Sequence, residues 1–491
     1  MDCASFLEND SLLKSVGVVM ITRVIPHARM GKEDVVERKR VLVSLVGFLT
    51  GLIWVALAGG LLWSPADAAA GEFNWKRFSG QTVRFLGETI PATPYIREKV
   101  IPEFTAKTGI KVVYEDFAAR QVRQKMAVEM AGKSKDLDAY MTLPMNSGRE
   151  YWKSGFIEPL DRFLKDPTLT APEFDYEDFS PAVRAICGRY FDGKLGCIAF
   201  SPQTQILYWR KDIFAKAGLQ GPPQTLAEME AAAAKIMELP EGPEGKVYGI
   251  MLRGAAYEAV TQLSYYLYTH GGSWQDEKGR CNLTSPEALQ ALDFYGRILR
   301  KYGPPGAVKT NDIEAQSLFA QGRAAMYSDI NTRSAVMEDP TRSKVAGKLG
   351  YAKIPLGPTG KRQMMLPING LFVSPFSERK EASWFFFQYL TSKEVVLALH
   401  LQGNASPRVS TWETPEYKKQ DKHPDWTEAT LYGIRTGLPL NVPDVTAVNE
   451  ARTFIGQAIQ ASILGQDVRR AAQQACDEWN VLLKKTGDLK D

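Results

Sequence analysis

The chain has 491 residues, of which 44% are hydrophobic and 24% charged, and its formal net charge is +4 at pH 7. A chain of this length and hydrophobic content can bury roughly two to three domain-sized cores. Acidic and basic residues nearly balance and no basic stripe occurs, which argues against nucleic-acid binding. We therefore expect a folded protein without a nucleic-acid partner.

The first segment with a clear pattern is a leader region, residues 1–70. Arg38, Lys39 and Arg40 precede residues 41–63, which carry no charge, and small residues close the segment. A basic cluster, an apolar run and a small-residue end are typical of a secretory signal. The apolar run is also long enough to span a bilayer, so a retained anchor is the alternative. The rest of the chain is therefore expected in the periplasm, tethered to the membrane if the signal is not cleaved.

Strands and helices alternate after the leader. Residues 82–86, 110–114 and 137–142 have the character of strands, and residues 95–108 and 120–131 have that of helices. Strands separated by helices of this length predict a parallel α/β sheet. Ligands bind beyond the carboxyl ends of such strands, so we expect the loops after the first and third strands to face a cleft.

Three helices are predicted farther along the chain. Residues 226–239 are rich in alanine, and residues 381–390 place aromatic side chains on one face, which we interpret as core. Ser285 followed by Pro286 predicts the start of the other helix, because serine caps helices and proline fits their first turn.

Two cysteines, Cys187 and Cys197, flank Asp192-Gly193, a dipeptide typical of hairpin turns. If the flanking residues pair as strands, the two sulfur atoms come together, and secretion permits disulfides. We therefore predict a possible Cys187–Cys197 bridge, with two buried free thiols as the alternative.

The chain lacks the motifs of common catalytic and metal sites. After the leader its histidines are His270, His400 and His423, and they form no HxxxH or HxH pair. No CxxC pair, P-loop, GxGxxG or GxSxG sequence occurs. We therefore predict no metal, no cofactor and no catalytic residue.

Several segments, taken in order, resemble one family. They include a Thr-Gly-Ile-Lys-Val turn, and they are residues 101–112, 137–140, 154–161, 192–219, 319–326, 355–360, 369–374 and 384–394. Together they resemble the extracytoplasmic solute-binding proteins of family 1, the maltose-binding type that serves ABC importers.

The resemblance implies a two-lobed α/β fold of the periplasmic binding protein type, with hinged lobes that close on a solute. It places residues 71–201 and 371–404 in the first lobe, and residues 204–367 and 408–491 in the second. It also implies a monomeric receptor rather than an enzyme. Its partners are then a small solute, of sugar or polyol type, and the permease subunits of an ABC importer in the membrane.

Solute-contacting positions of the family fall at strand ends and on one late helix. Asp329 and Asn331 follow a predicted strand and suit bonds to sugar hydroxyls, although a capping role is the alternative. We expect Asp329→Ala to weaken solute binding at least about tenfold and to leave the melting temperature nearly unchanged. Tyr95 and Trp274 are the candidate aromatic platforms. The full predicted set is Tyr95, Thr142, Gln203, Tyr257, Trp274, Asp329, Asn331, Arg333, Asn369 and Arg452.

Thr142, Thr332 and Arg452 stand where the maltodextrin-binding members offer tryptophans. Long glucans need those aromatic platforms, so the departure favours a monosaccharide, a polyol or a short oligosaccharide. If Arg333 and Arg452 both face the cleft, a sugar acid such as a uronate is favoured, because guanidinium pairs bidentately with carboxylate.

Two alternatives stay open. An enzyme on this fold, as in the cysteine-dependent thiamin-degrading relatives, would use Cys187 or Cys197 as its nucleophile, which requires a reactive and partly exposed thiol. A membrane-tethered solute receptor would instead retain residues 41–63.

Overall fold

A computed structural model describes residues 72–242 and 245–489. The predicted signal or anchor lies outside the described residues. Within the described ranges, no helix combines the length and the apolar character needed to cross a membrane.

The described elements alternate between strands and helices, as predicted. The strands are β1 (Thr82–Glu88), β2 (Lys111–Phe117), β3 (Ala139–Thr142), β4 (Ile198–Pro202), β5 (Gln205–Arg210), β6 (Tyr248–Met251), β7 (Ala324–Ile330), β8 (Leu349–Ala352) and β9 (Ile368–Val373). The principal helices are α1 (Ile101–Thr108), α2 (Ala119–Ala131), α3 (Pro144–Lys153), α4 (Asp161–Lys165), α5 (Pro181–Arg189), α6 (Lys211–Lys216), α7 (Leu226–Met237), α8 (Ala256–Thr269), α9 (Pro286–Tyr302), α10 (Asp312–Ala320), α11 (Ser334–Met337), α12 (Lys380–Leu390), α13 (Lys393–His400), α14 (Pro415–Gln420), α15 (Pro424–Thr436), α16 (Val448–Ile463) and α17 (Val468–Thr486).

The first sheet has the strand order β2-β1-β3-β9-β4. Strand β1 runs parallel to β2 and β3, as the alternating pattern predicted, whereas β9 is antiparallel to β3 and β4. The carboxyl ends of β1 and β3 therefore lie at one edge of the sheet. Because Thr142 pairs with Gly370, the first residues of β9 lie at the same edge.

The second sheet has the order β6-β7-β5-β8. Strands β6 and β7 are parallel, and β5 is antiparallel to both of its neighbours. Gln205 at the start of β5 pairs with Ile330 at the end of β7, so both lie at one edge with the loop after β6. Each sheet with its packed helices forms one lobe, which is the predicted two-lobed α/β architecture. The residue boundaries of the lobes stay a prediction.

One of the connections between the two sheets is very short. Strand β4 ends at Pro202 and β5 begins at Gln205, so only Gln203 and Thr204 join them. The Gln203 N–H donates to the carbonyl of Pro367, just before β9 returns to the first sheet, at 2.7 Å. Helix α15 approaches this crossing so closely that a Cβ on Gly433 would lie 2.2 Å from Thr204 Oγ1. Glycine is therefore required there.

The predicted helix starts and core faces are confirmed. The Ser285 hydroxyl accepts a hydrogen bond from the Ala288 N–H at 3.2 Å, which satisfies one of the free donors at the start of α9. On α12, Phe385 and Phe386 are fully buried, and Phe386 packs against Phe85 and Phe104 of the first lobe.

The Cys187–Cys197 pair differs from the prediction, because the flanking residues do not form a hairpin. Cys187 lies in α5, and a turn at Asp192 and Gly193 leads to Cys197 just before β4. Both cysteines are buried free thiols, and their Sγ atoms are 3.1 Å apart. The structure therefore agrees with the alternative of two free thiols and not with a Cys187–Cys197 bridge. The disulfide instead joins Cys281 to Cys476 on α17.

We expect loss of the Cys281–Cys476 disulfide to lower the free energy of unfolding by about 2–5 kcal/mol, because the bridge closes a long loop and so restricts the unfolded chain. Its two cysteines are 195 positions apart. Urea unfolding of a Cys281→Ala/Cys476→Ala variant measures the loss. Dithiothreitol should destabilise the wild type and leave the variant unchanged, and equal sensitivity of both proteins would contradict the assignment.

Candidate functional site

A cluster of polar side chains lies at the edge of the first sheet where β1 and β3 end. Glu88 is the last residue of β1, and its carboxylate accepts from Thr142 Oγ1 at 3.4 Å and from Asn369 Nδ2 at 3.1 Å. Gln203 on the crossing segment donates its Nε2 to Asn369 Oδ1 at 2.8 Å. Three predicted residues, Thr142, Gln203 and Asn369, are thus brought together around one carboxyl group.

Burial raises the pKa of Glu88 from 4.5 to about 7, and the charge of Arg123 and the bonds from Asn369 and Thr142 oppose this shift. Near neutral pH the Glu88 carboxyl group therefore exists in both protonation states. A carboxylate accepts hydrogen bonds, and the protonated form also donates one. The group can thus match either role of a solute hydroxyl.

We expect the unfolding free energy of the Glu88→Gln variant to rise relative to wild type as pH increases from about 4.5 to 7. The folded state raises the pKa of Glu88, so it binds more protons than the unfolded state in this window, and the wild type loses stability as pH rises. Across this pH range, the unfolding free energy of the variant should rise by up to about 3 kcal/mol relative to that of the wild type. Urea unfolding of both proteins at pH 5 and pH 8 measures it, and a pH-independent difference would contradict the shift.

A second polar group contains the predicted pair Tyr257 and Arg452, which lie on α8 and α16. These two helices pack together with α9, and α9 contacts β6 of the second sheet. The Arg452 guanidinium lies over the Tyr257 ring, 3.5 Å from its centroid, and donates to the Tyr257 carbonyl at 2.6 Å. It also donates to Thr261 Oγ1 at 3.1 Å, and the Tyr257 hydroxyl donates to Asn449 Oδ1 at 2.6 Å. Helices α8 and α16 position this group together.

Arg452 is buried and bonds only neutral acceptors among the described residues. Burial lowers the pKa of its guanidinium to about 10, and nearby Arg123 acts in the same direction. Arg123, on α2 of the first lobe, interacts electrostatically with both Glu88 and Arg452. The Glu88 cluster and the Arg452 group therefore both lie near Arg123.

Asp329 and Arg333 have bonding partners within their own lobe. Asp329 is only 1% exposed, and its Oδ2 accepts from Arg253 Nε at 2.8 Å while its Oδ1 pairs with Arg253 Nη2. Oδ1 also accepts from the Ile330 N–H at 2.7 Å. Arg333 in turn bonds Asp312 Oδ2 and Gln316 Oε1, each at 2.6 Å. Both side chains are thus occupied within the second lobe, and Asp329 orients Arg253.

Asn331 and Trp274 are structural as well. The Asn331 Oδ1 accepts from the Thr204 N–H at 3.0 Å, which fixes the crossing segment, and this is the turn role given as the alternative. Trp274 is buried, and its indole N–H donates to the Leu440 carbonyl at 2.9 Å. It is therefore not an open aromatic platform. Tyr95 is half-buried and packs against the core of the first lobe.

The free thiols are poorly placed for nucleophilic chemistry. Cys187 and Cys197 have no exposed surface, and burial raises the pKa of Cys197. A reactive cysteine needs an accessible and electropositive setting, so this environment favours binding over catalysis. Nowhere in residues 72–242 and 245–489 do three or more histidine, cysteine or acidic side chains group as metal ligands.

Sequence reasoning did not single out Glu88, Arg123 or Arg253, the charged residues that the structure places beside predicted ones. Glu88 directly follows the first predicted strand, in the loop that was expected to face a cleft, so it could have been predicted from its position. Arg123 and Arg253 could not, because each acts through partners that are distant in sequence.

The two-lobed α/β fold indicates the class of protein: a receptor that binds a small polar solute. Comparison with known proteins agrees. The sequence profile of the family "Bacterial extracellular solute-binding protein" matches residues 88–396. The chain belongs to this family, and it is an ABC-importer solute-binding protein of the carbohydrate or polyol type.

Among curated relatives, a mannitol-binding protein of Pseudomonas aeruginosa is 28% identical over 380 residues, which cover 72% of this chain and 83% of the relative. A solute-binding protein of Agrobacterium radiobacter in complex with ribitol has a TM-score of 0.72 and 26% identity, covering 82% of this chain and 99% of that one. A solute-binding protein of Agrobacterium vitis with bound D-mannitol has a TM-score of 0.70 and 27% identity, covering 83% and 99%.

Proposed function

We propose that this protein captures a short linear polyol and delivers it to an ABC importer. The observation that carries the proposal is the Glu88 cluster of the first lobe facing Arg452 and Tyr257 of the second. A carboxyl group, two amides and a guanidinium offer both donors and acceptors. A chain of hydroxyl groups can bond to such a set along its whole length.

The relatives support a polyol over a glucan. Two of the solved relatives contain ribitol or D-mannitol, and one curated relative is a mannitol-binding protein. The burial of Trp274 supports the same choice, because glucan chains need an open aromatic face. The engagement of Arg333 with Asp312 and Gln316 removes one of the two arginines that favoured a sugar acid.

Delivery follows from a solute that bonds both lobes. Such a solute stabilises the closed arrangement by its differential affinity for the closed state over the open state. The permease subunits of the importer then recognise the closed receptor. In this reading the protein binds without catalysis, because capture and release need no chemical step.

A thermal-shift series tests the solute class. D-Mannitol, ribitol and erythritol are compared with D-glucose and maltose, and we expect the polyols to raise the melting temperature most. A ligand at 100 times its dissociation constant adds about 2.7 kcal/mol to the stability. A shift with maltose or glucose but with none of the polyols would refute the proposal.

We further propose that the leader is removed and that the receptor acts as a monomer in the periplasm. The basic cluster, the apolar run and the small-residue end of residues 38–70 support removal of the leader. Amino-terminal sequencing of exported protein should begin near Gly71, and a start upstream of residue 41 would favour the membrane-tethered receptor. Light scattering of the exported protein tests the monomer.

A further inference from the structure

We propose that Asp444 is the centre of an interlobe clamp that raises solute affinity without touching the solute. The clamp consists of Arg149, Lys153 and Arg189 of the first lobe with Asp444 and Asp488 of the second. The inference rests on the proposed function, since it concerns how the same cleft is held closed.

The first lobe supplies two cations to one carboxylate. Arg149 on α3 donates its Nε and Nη2 to Asp444 Oδ1 at 2.9 and 2.8 Å. Arg189, the last residue of α5, donates its Nε to Asp444 Oδ2 at 3.1 Å. Both helices contact strands of the first sheet, so both oxygens of Asp444 are occupied by side chains of the opposite lobe.

Asp444 is rigidly attached to the second lobe. It lies between α15 and α16, in a segment whose Leu438 N–H donates to the Met364 carbonyl at 2.9 Å. Trp274 holds the Leu440 carbonyl of the same segment at 2.9 Å, and the Thr446 N–H donates to Asp488 Oδ2 at 2.8 Å. Asp444 therefore moves together with the second lobe.

Two further contacts extend the clamp. Lys153 Nζ donates to Thr446 Oγ1 at 2.6 Å and lies 3.2 Å from Asp488 Oδ1. The Tyr190 hydroxyl donates to the Pro439 carbonyl at 2.6 Å. All of these bonds join the two lobes, and none of them involves the Glu88 cluster. All of them break if the two lobes move apart at Asp444.

The clamp is formed while the cleft is narrow. Helix α3 of the first lobe contacts α16 of the second, so the two lobes lie close together on this side. Burial and the nearby charge of Glu450 on α16 raise the pKa of Glu150 on α3, and this repulsion between like charges opposes the clamp. Apparent affinity scales with the populated fraction of the binding-competent arrangement, so contacts that favour the narrow cleft tighten binding.

The chain offers a matched control, the ion pair between Arg297 and Glu230. Arg297 donates its Nε and Nη2 to Glu230 at 2.9 and 2.8 Å, as Arg149 does to Asp444, but both partners belong to the second lobe. The exposure is comparable, with side chains 30% and 23% exposed against 28% and 13% for Arg149 and Asp444. Removing the acid of each pair therefore separates the interlobe effect from the loss of an ion pair.

The test compares Asp444→Asn with Glu230→Gln in the full chain. Small-angle X-ray scattering without solute should give a larger radius of gyration for Asp444→Asn only. Calorimetric titration with D-mannitol should show binding about tenfold weaker for Asp444→Asn and unchanged for Glu230→Gln. If Asp444→Asn misfolds, Arg149→Gln/Arg189→Gln leaves the acid in place and should give the same two changes.

Asp444→Asn behaving like Glu230→Gln in scattering and titration would overturn the clamp, and so would tighter D-mannitol binding by Asp444→Asn. Failure of the wild type to bind any polyol would instead overturn the proposed function. Scattering would still decide on the clamp in that case, because it requires no solute.

Discussion

Replacing Asp329 with alanine is expected to lower the free energy of unfolding by about 3–5 kcal/mol, because the change leaves Arg253 as an uncompensated buried charge. The two side chains are 9% and 0% exposed, so water cannot replace the lost partner. Urea unfolding measures the effect. This outcome replaces the sequence-based expectation that the melting temperature would stay nearly unchanged.

The control for Asp329→Ala is Glu230→Ala, which removes the acid of a more exposed arginine pair and should cost about 1 kcal/mol or less. Replacing both members, as in Arg253→Met/Asp329→Leu, should recover much of the stability, because Arg253 is then no longer left as an unpaired buried charge. An Asp329→Ala variant as stable as Glu230→Ala would show that Asp329 does not anchor Arg253.

The second large effect is expected at Arg452. Replacing it with glutamine should weaken D-mannitol binding by about tenfold to a hundredfold, because hydrogen bonds from a charged donor are worth roughly 1.5–3 kcal/mol. The unfolding free energy should stay the same or rise, since the buried guanidinium bonds only neutral acceptors and its burial is costly. Titration calorimetry and urea unfolding measure the two quantities.

Arg435→Gln is the matched control for Arg452→Gln, because its side chain is 53% exposed and lies on α15. It should leave D-mannitol affinity unchanged. If Arg452→Gln binds D-mannitol as tightly as Arg435→Gln does, Arg452 is not a solute ligand, and the proposed site does not include the Arg452 group.

Features encoded by neighbouring residues were predictable from the sequence. The start of α9 needs only Ser285, Pro286 and the amides that follow them. The early strands follow from apolar runs between helices. Thr142, Gln203 and Asn369 were assigned to the site by the family resemblance, and the structure does bring these three together.

Features that depend on distant partners were not predictable. Arg253 meets Asp329 across 76 positions, and the Trp274 indole meets Leu440 across 166. The disulfide joins cysteines 195 positions apart, whereas the sequence favoured the nearest pair. A side chain looks available for a solute until its distant partner is known, which is why Asp329, Arg333 and Trp274 were assigned to the solute.

The two-residue passage at Gln203 and Thr204 limits how the lobes can move. A tether this short, fixed at Thr204 by Asn331 and crowded by Gly433, leaves torsional freedom but almost no room for sliding. These contacts therefore favour rotation of the lobes about this passage over sliding. A pair of fluorophores placed on α3 and α16 should then change their separation steadily with occupancy, which makes the chain a ready scaffold for an optical sensor.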